Sequence, residues 1–252
     1  MPETTFPTEV IDLPSKGYFY PEKSPLSSGQ VELKYMTAKD EDVLTSQNLI
    51  AKGVVLDVLL ANLIVDKNIK VSDLLIGDKN ALLIAARVLA YGKEYEFEVI
   101  SPVTGEPTTH TLDLTTLKDV SVDFSKMPKG KNAFEFTLPT SKRVIKYKLL
   151  TSGDVDDIDR QAKSLSKISD IDRTLTTRLK SMIIEVDGNT EKQDVSKFVD
   201  NEFFAVDSLA FREYVADSTP DIDLEISVDI DGEEVEVTVP MTVQFFWPSS
   251  RV

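Results

Sequence analysis

The sequence predicts an α+β fold with two pseudo-repeated lobes, each made of a strand, several helices and a β-hairpin. Segments that alternate apolar and polar residues, as half-buried strands do, stand beside segments with helical caps and helical spacing. The first half of the 252-residue chain has counterparts in the second half in the same order. Apolar residues make up 41% of the chain and charged residues 28%, a composition that supports a packed core.

The first lobe is predicted to begin with a strand followed by a capped helix. Residues 31–36 alternate in polarity, which indicates a strand. Thr37 is a suitable N-cap, and Asp40 lies in the first turn, where a carboxylate favours the helix dipole. Residues 54–65 are largely apolar and predict a buried helix.

A further helix and a hairpin complete the first lobe. Asp78 is the predicted cap of a helix over residues 79–91. Residues 94–100 alternate in polarity, the segment 102–105 is a turn, and residues 108–114 form the return strand.

The second half repeats this order. An alternating strand precedes Thr37 in the first half and Thr151 in the second, and an acidic first turn follows each of them. Gly105 and Gly232 both lie in turns between alternating runs. Because order, spacing and element type agree at several places, an internal repeat explains the pattern better than chance similarity does.

The predicted organisation has four parts. Residues 1–30 form an extended arm rich in proline and aromatic residues, since each proline fixes its backbone and removes a hydrogen-bond donor. Residues 31–120 form the first lobe and residues 121–143 a connector. Residues 144–252 form the second lobe, which ends in an aromatic C-terminal strand.

Aromatic residues concentrate near both ends of the chain. The arm carries Tyr18, Phe19 and Tyr20, and the C-terminal segment carries Phe246 and Trp247. Two interpretations stay open: the aromatic residues pack on the chain's own core, or they anchor a partner protein. We predict that these five residues bind a partner. Phe246 would face away from the core, because neighbouring residues on a strand point to opposite faces.

The composition excludes several kinds of site. The chain has no cysteine, which excludes disulfides, thiolate zinc sites and thiol nucleophiles. His110 is the only histidine, which excludes a two-histidine metal site within the chain. No phosphate loop, nucleophile elbow or carboxylate pair indicates catalysis. We therefore expect no enzymatic activity and no cofactor.

The charge balance points away from nucleic acid and membrane partners. There are 28 Lys and Arg residues against 43 Asp and Glu residues, a net charge of −15. An acidic surface repels phosphate backbones and anionic lipids. The apolar stretch 54–65 is shorter than the roughly twenty residues of a membrane helix, and the N-terminus does not resemble a signal peptide. We expect a protein that stays in the cytoplasm.

Two segments carry a family resemblance. Residues 13–21, Leu-Pro-Ser-Lys-Gly-Tyr-Phe-Tyr-Pro, followed by the strand 31–36 and the acidic helix start, resemble the opening of the T4-like bacteriophage baseplate hub assembly proteins. Residues 239–248, with Phe-Phe-Trp-Pro at their end, resemble the aromatic terminus of that family. The resemblance spans nearly the whole chain.

The chain departs in one respect from the family that it resembles. Members of this family often carry Cys-x-x-Cys-Gly knuckles in their hairpins. The corresponding segments 101–105 and 228–232 keep the turn glycines but have no cysteine. We therefore expect ordinary hairpin turns in place of metal clips, and no bound zinc.

The resemblance implies a role in phage tail assembly, with three hypotheses. The first is a chaperone-like assembly factor that binds hub or tape-measure proteins in the host cytoplasm and leaves the finished particle. The second is a structural baseplate or hub subunit that is retained in the virion tail. The third, a cell-wall hydrolase, is disfavoured because no catalytic constellation is visible. The oligomeric state is left open.

Overall fold

The computed structural model describes residues 7–102, 104–167, 171–230 and 232–246. Within these ranges, helices alternate with small antiparallel sheets, which confirms the predicted α+β class. One hydrophobic core contains side chains from both halves of the chain. The predicted anchor Trp247 lies outside the described residues.

The described residues form nine strands and eight α-helices. The strands are β1 (Thr8–Asp12), β2 (Gln30–Lys34), β3 (Glu94–Ile100), β4 (Pro107–Asp113), β5 (Phe134–Thr137), β6 (Val144–Tyr147), β7 (Ile183–Val186), β8 (Glu225–Ile230) and β9 (Glu233–Thr238). The helices are α1 (Ala38–Thr45), α2 (Gln47–Lys52), α3 (Val55–Leu63), α4 (Ile76–Tyr91), α5 (Ser152–Leu165), α6 (Thr174–Met182), α7 (Lys192–Asn201) and α8 (Ala205–Ser218).

The strands pair over short distances in the sequence. β1 pairs with β2, β3 with β4 and β8 with β9, each antiparallel. β5, β6 and β7 form a three-stranded sheet in that order. The strand predicted at 31–36 and both predicted hairpins are therefore confirmed.

Both halves begin their first helix with the same cap. The backbone N–H of Thr37 donates to Oδ2 of Asp40 at 3.0 Å, and the backbone N–H of Thr151 donates to Oδ2 of Asp154 at 3.1 Å. Each carboxylate closes the helix N-terminus, where free backbone donors and the helix dipole favour a negative charge. The two predicted caps are confirmed.

The predicted arm and connector are built into the sheets. β1 lies inside residues 1–30 and pairs with the first strand of the predicted lobe. β5 lies inside residues 121–143 and pairs with β6. Each half therefore opens with an antiparallel strand pair, which extends the order of elements shared by the two halves. The equivalence of the two whole lobes stays a prediction.

The predicted C-terminal strand is wrong. Val243–Phe246 forms a single 3₁₀ turn, and Phe245 and Phe246 are both fully buried. The N–H of Phe245 donates to the carbonyl of Thr242 at 3.0 Å, and the carbonyl of Phe245 accepts from Nε of Arg87 at 3.0 Å. The turn and the arginine satisfy backbone groups that a neighbouring strand would otherwise pair.

The predicted cap of the fourth helix is also wrong. α4 begins at Ile76 with Leu75 as its N-cap, so Asp78 lies inside the first turn. Its side chain is fully buried and does not close its own helix. The carboxylate accepts hydrogen bonds from the arm instead.

The two halves are joined by backbone contacts at the start of α4. The N–H of Ser152 donates to the carbonyl of Leu74 at 2.8 Å. Gly77 lies against Pro220 and Asp221, in the segment that follows α8. A Cβ atom at Gly77 would overlap the carbonyl oxygen of Pro220 and lie 2.5 Å from Cα of Asp221. The close approach of these two backbones requires glycine at this position.

We expect Gly77→Ala to destabilise the protein. Inside a helix this change alone would stabilise by about 1 kcal/mol, but here the methyl group collides with backbone and overpacking costs about 1–3 kcal/mol. Urea unfolding measures the net effect. Gly153→Ala is the control, because its Cβ would meet Ser72 at the more tolerable distance of 3.1 Å. Equal or greater stability of Gly77→Ala would contradict the close contact.

Candidate functional site

The arm makes a tight turn at residues 13–17. The N–H of Lys16 donates to the carbonyl of Leu13 at 2.8 Å, and Lys16 and Gly17 have positive φ angles of 51° and 70°. A Cβ at Gly17 would lie 2.5 Å from the carbonyl oxygen of Ser27. The turn therefore needs glycine for its backbone angle and for this close contact.

The carboxylate of Asp78 holds this turn. Oδ1 accepts from the N–H of Ser15 at 2.9 Å, and Oδ2 accepts from Oγ of Ser15 at 2.7 Å. The hydroxyl of Tyr20 donates to the same Oδ2 at 2.6 Å and accepts from the N–H of Leu75 at 2.8 Å. One buried acid thus joins the arm to the N-terminus of α4.

Burial changes the acidity of this pair. Loss of solvent raises the pKa of Asp78 above its ordinary value, although hydrogen bonds from Tyr20 and Ser15 oppose the rise. Burial and the neighbouring charge of Asp78 also raise the pKa of Tyr20. The raised pKa favours the protonated hydroxyl of Tyr20, which donates to the carboxyl group.

The second half contains a matching turn. The N–H groups of Thr140 and Ser141 donate to Oδ1 and Oδ2 of Asp207 at 2.7 and 3.0 Å. Asp207 is fully buried near the start of α8, as Asp78 is near the start of α4. Lys142 has a positive φ of 59°, and its N–H donates to the carbonyl of Leu138 at 3.1 Å.

The two turns held by Asp78 and Asp207 are not among the elements predicted from the sequence. The signal is present as Leu-Pro-Ser-Lys at residues 13–16 and Leu-Pro-Thr-Ser-Lys at residues 138–142. A buried aspartate holds each turn, but the acid lies more than sixty residues away along the chain. Only the fold brings acid and turn together.

The pKa values of Asp78 and Asp207 are shifted in opposite directions from the ordinary value. Burial works against ionisation of Asp207, but the donors at Thr140 and Ser141 outweigh it and lower the pKa of Asp207 below its ordinary value. Backbone N–H groups cannot accept a proton or rotate, so they favour the charged form. Asp78 faces two hydroxyl groups, which can reorient when the acid is neutral.

Three of the predicted aromatic anchors lie in the core. Phe19, Tyr20 and Phe246 are all buried, and Tyr18 is half-buried with its hydroxyl donating to the carbonyl of Met127 at 3.2 Å. The prediction that Phe246 faces away from the core is wrong. The described contacts favour the interpretation that the arm packs on its own domain. A role of these side chains in partner binding stays a prediction.

Phe19 links the arm to the second half. Its ring centroid lies 5.2 Å from that of Phe134 on β5, which lies 5.3 Å from Tyr147 on β6. Tyr147 in turn lies 5.1 Å from Phe211 on α8. These edge-to-face and tilted contacts form a continuous aromatic row across the core.

The described residues show no metal or membrane feature. Nε2 of His110 lies 2.9 Å from Oγ1 of Thr108 on the same strand. Among the described residues, no group of three or more histidine, cysteine, aspartate or glutamate side chains is placed to hold a metal ion. No helix in the described ranges has the length and apolar character needed to cross a membrane.

Comparison with known proteins identifies one family. The family described as T4 bacteriophage base plate protein matches residues 12–247. The match includes the arm turn, both buried acids and the C-terminal 3₁₀ turn. No curated protein and no solved structure matches the chain.

We expect Asp207→Asn to be more destabilising than Asp78→Asn. An asparagine amide at position 207 would point its NH₂ group at a backbone N–H, and an unsatisfied buried donor costs about 1–3 kcal/mol. At position 78 the amide can donate to a hydroxyl oxygen that reorients. Denaturant unfolding at pH 7 gives both values. Equal losses would mean that donor type does not distinguish the two sites.

We expect opposite pH dependences for these acids. Because the pKa of Asp207 is lowered in the folded protein, this acid contributes folding stability above the ordinary pKa of 3.8. That contribution is lost as the pH falls through the pKa of the folded state. The raised pKa of Asp78 means that its contribution grows as the pH falls from the folded value towards 3.8. Stability differences between wild type and each asparagine variant, measured from pH 7 to pH 3, should change with opposite slopes.

We expect Phe19→Ala to cost about 3–5 kcal/mol of folding stability, because it removes a buried ring from the aromatic row. Tyr18→Ala should cost less, since Tyr18 is only half-buried. Thermal and urea unfolding of the two variants measure this difference. A Phe19→Ala protein with an unchanged unfolding curve would show that the arm does not stabilise the core.

Proposed function

We propose, on the premise that this chain belongs to the T4 bacteriophage base plate protein family, that it is a chaperone-like binding protein of baseplate assembly. It binds hub or tape-measure proteins while the tail is built, and it leaves the finished particle. The family match over residues 12–247 supports a baseplate role, and the net charge of −15 is the observation that favours a reversible binder within that role.

The charge of the chain supports a reversible binder. A net charge of −15 keeps free copies apart by mutual repulsion. An assembly factor must not associate with other copies of itself before it binds its partner. The same charge favours rapid encounter with basic surfaces on other proteins.

An exposed apolar face on α8 also supports protein binding. Phe204, Val206 and Leu209 are 53%, 55% and 47% exposed and lie close together at the start of this helix. The opposite face of α8 buries Phe211 in the core. A helix that carries large apolar residues on both faces is typical of one that is covered on both faces.

A second candidate function is a structural subunit retained in the virion. The description of the family as a base plate protein favours it, because that description names a part of the particle. In both cases we propose that the protein acts by binding and not by catalysis. The pairing of its only histidine, His110, with Thr108 supports a structural role for that side chain.

We expect the protein to be absent from purified virions and present in tail-assembly intermediates from infected cells. Quantitative mass spectrometry of both fractions measures its copy number against an abundant tail protein as the internal standard. A fixed, stoichiometric amount in washed virions would support the structural subunit and contradict the assembly factor. Absence from both fractions would contradict a baseplate role altogether.

A further inference from the structure

The strand β1 pairs with β2 in a regular antiparallel register. The N–H of Tyr35 donates to the carbonyl of Pro7 at 3.2 Å, and the N–H of Leu13 donates to the carbonyl of Gly29 at 2.8 Å. Residues of an antiparallel strand alternate between bonding this partner and facing away from it. Odd-numbered residues of β1 therefore bond β2, and even-numbered residues direct their backbone groups to the other edge.

The outer edge of β1 is open. Thr8, Val10 and Asp12 present their N–H and carbonyl groups there, and no strand in the described parts of the chain pairs with this edge. Val10, at the centre of this edge, is 56% exposed. An open edge of this kind is a template for an additional strand.

An apolar groove lies beside this edge. Its volume is about 490 Å³, and β1 borders it on one side and α4 on the other. A strand added to β1 would lie over this groove, and every second side chain would point into it. The apolar side chains that line the groove include Ile11, Ala81, Ile84, Val88, Leu114 and Leu117.

The groove is lined mainly by the first half of the chain, with Ile222 from the second half. When α8 is aligned with α4 through the buried acids Asp207 and Asp78, the positions of Ile84 and Val88 fall on Glu213 and Asp217. Glu213 and Asp217 are exposed and charged, as suits a helix face in water. The matching face of α4 is apolar: Ile84 is buried, and Val88 is partly exposed beside the groove.

The edge is acidic. β1 carries Glu9 and Asp12 and no basic residue, and both acids line the groove. Glu32 on β2 is exposed on the same sheet and accepts a hydrogen bond from Oγ1 of Thr8 at 2.6 Å. Two copies of β1 paired with each other would bring these acids together, so a second copy of the chain is a poor occupant.

We propose that the open edge of β1 binds an extended segment of another baseplate protein as an added strand. Alternate apolar side chains of that segment enter the groove on α4, and lysine or arginine side chains between or beside them pair with Glu9 and Asp12. Main-chain hydrogen bonds to Thr8, Val10 and Asp12 supply affinity, and the groove supplies selectivity. This site rests on the proposed assembly function and names the surface through which it acts.

The test uses Val10→Pro, with Glu135→Pro as its matched control. Proline at position 10 removes an outward N–H and blocks the edge without breaking a bond to β2. Glu135 occupies the same outward position on β5 when the Leu-Pro turns are aligned, and it lies on the other half of the molecule. Val88→Asp tests the groove separately by introducing the residue that α8 has at this position.

The probes are purified hub and tape-measure proteins of the same phage and 15-residue fluorescent peptides tiling them. We expect wild-type protein to bind tiles that alternate apolar and basic residues, and Val10→Pro and Val88→Asp to weaken this binding at least tenfold. Glu135→Pro should bind as wild type does. If Val10→Pro unfolds, peptides N-methylated on alternate amides test the same hydrogen bonds on the wild-type chain.

The outcomes separate this site from the proposed function. Unchanged binding of an intact partner by folded Val10→Pro and Val88→Asp would overturn the β1 site and leave the assembly role standing. Failure of the wild type to bind any intact partner would overturn both. A wild-type dimer in analytical ultracentrifugation that Val10→Pro converts to a monomer would show that a second copy occupies the edge, which also overturns the proposal.

Discussion

The architecture depends on one buried carboxylate, that of Asp78. It accepts three hydrogen bonds from the arm, and the hydroxyl of Tyr20 passes the connection on to the N–H of Leu75. The arm is therefore fixed where α4 begins, which is also where the two halves of the chain meet. With the turn in place, β1 pairs with β2, and Phe19 reaches the aromatic row of the second half. A buried acid with satisfied hydrogen bonds specifies this geometry because few other arrangements would satisfy it.

A buried aspartate also holds the turn in the second half, but there hydrogen bonding outweighs burial and the pKa is lowered. Asp207 binds two backbone N–H groups, and these favour the ionised acid. Asp78 accepts hydrogen bonds from one N–H and two hydroxyls, and burial is the largest cause of its raised pKa. The turn held by Asp207 is short and leads directly into β6. The turn held by Asp78 carries an insertion, residues 18–29, before β2 begins. The hydroxyl donor Tyr20 comes from that insertion, and its hydrogen bond opposes the rise that burial causes in the pKa of Asp78.

The sequence predicts the elements that depend on neighbouring residues. It does not predict those that depend on contacts between residues far apart in the chain. The caps at Thr37 and Thr151 and the two hairpins depend on residues a few positions apart, and they were found from spacing alone. The C-terminal 3₁₀ turn depends on Arg87, which lies far away in the chain and binds the carbonyl of Phe245. Aromatic density near the termini was a true signal of ordered structure. It could not tell burial in the chain's own core from burial against a partner, because both remove the ring from water.

The two halves of the chain have some local features in common and differ in others. The features that both contain are the held Leu-Pro turn and the capped first helix. The helix faces differ: Ile84 is buried and Val88 is partly exposed beside an apolar groove in the first half, where the second half has the exposed residues Glu213 and Asp217. Conversely, α8 exposes Val206 where α4 has Gly77 packed against the backbone of Pro220. The helices α4 and α8 therefore differ in which positions are apolar, although a buried aspartate near the start of each holds a Leu-Pro turn.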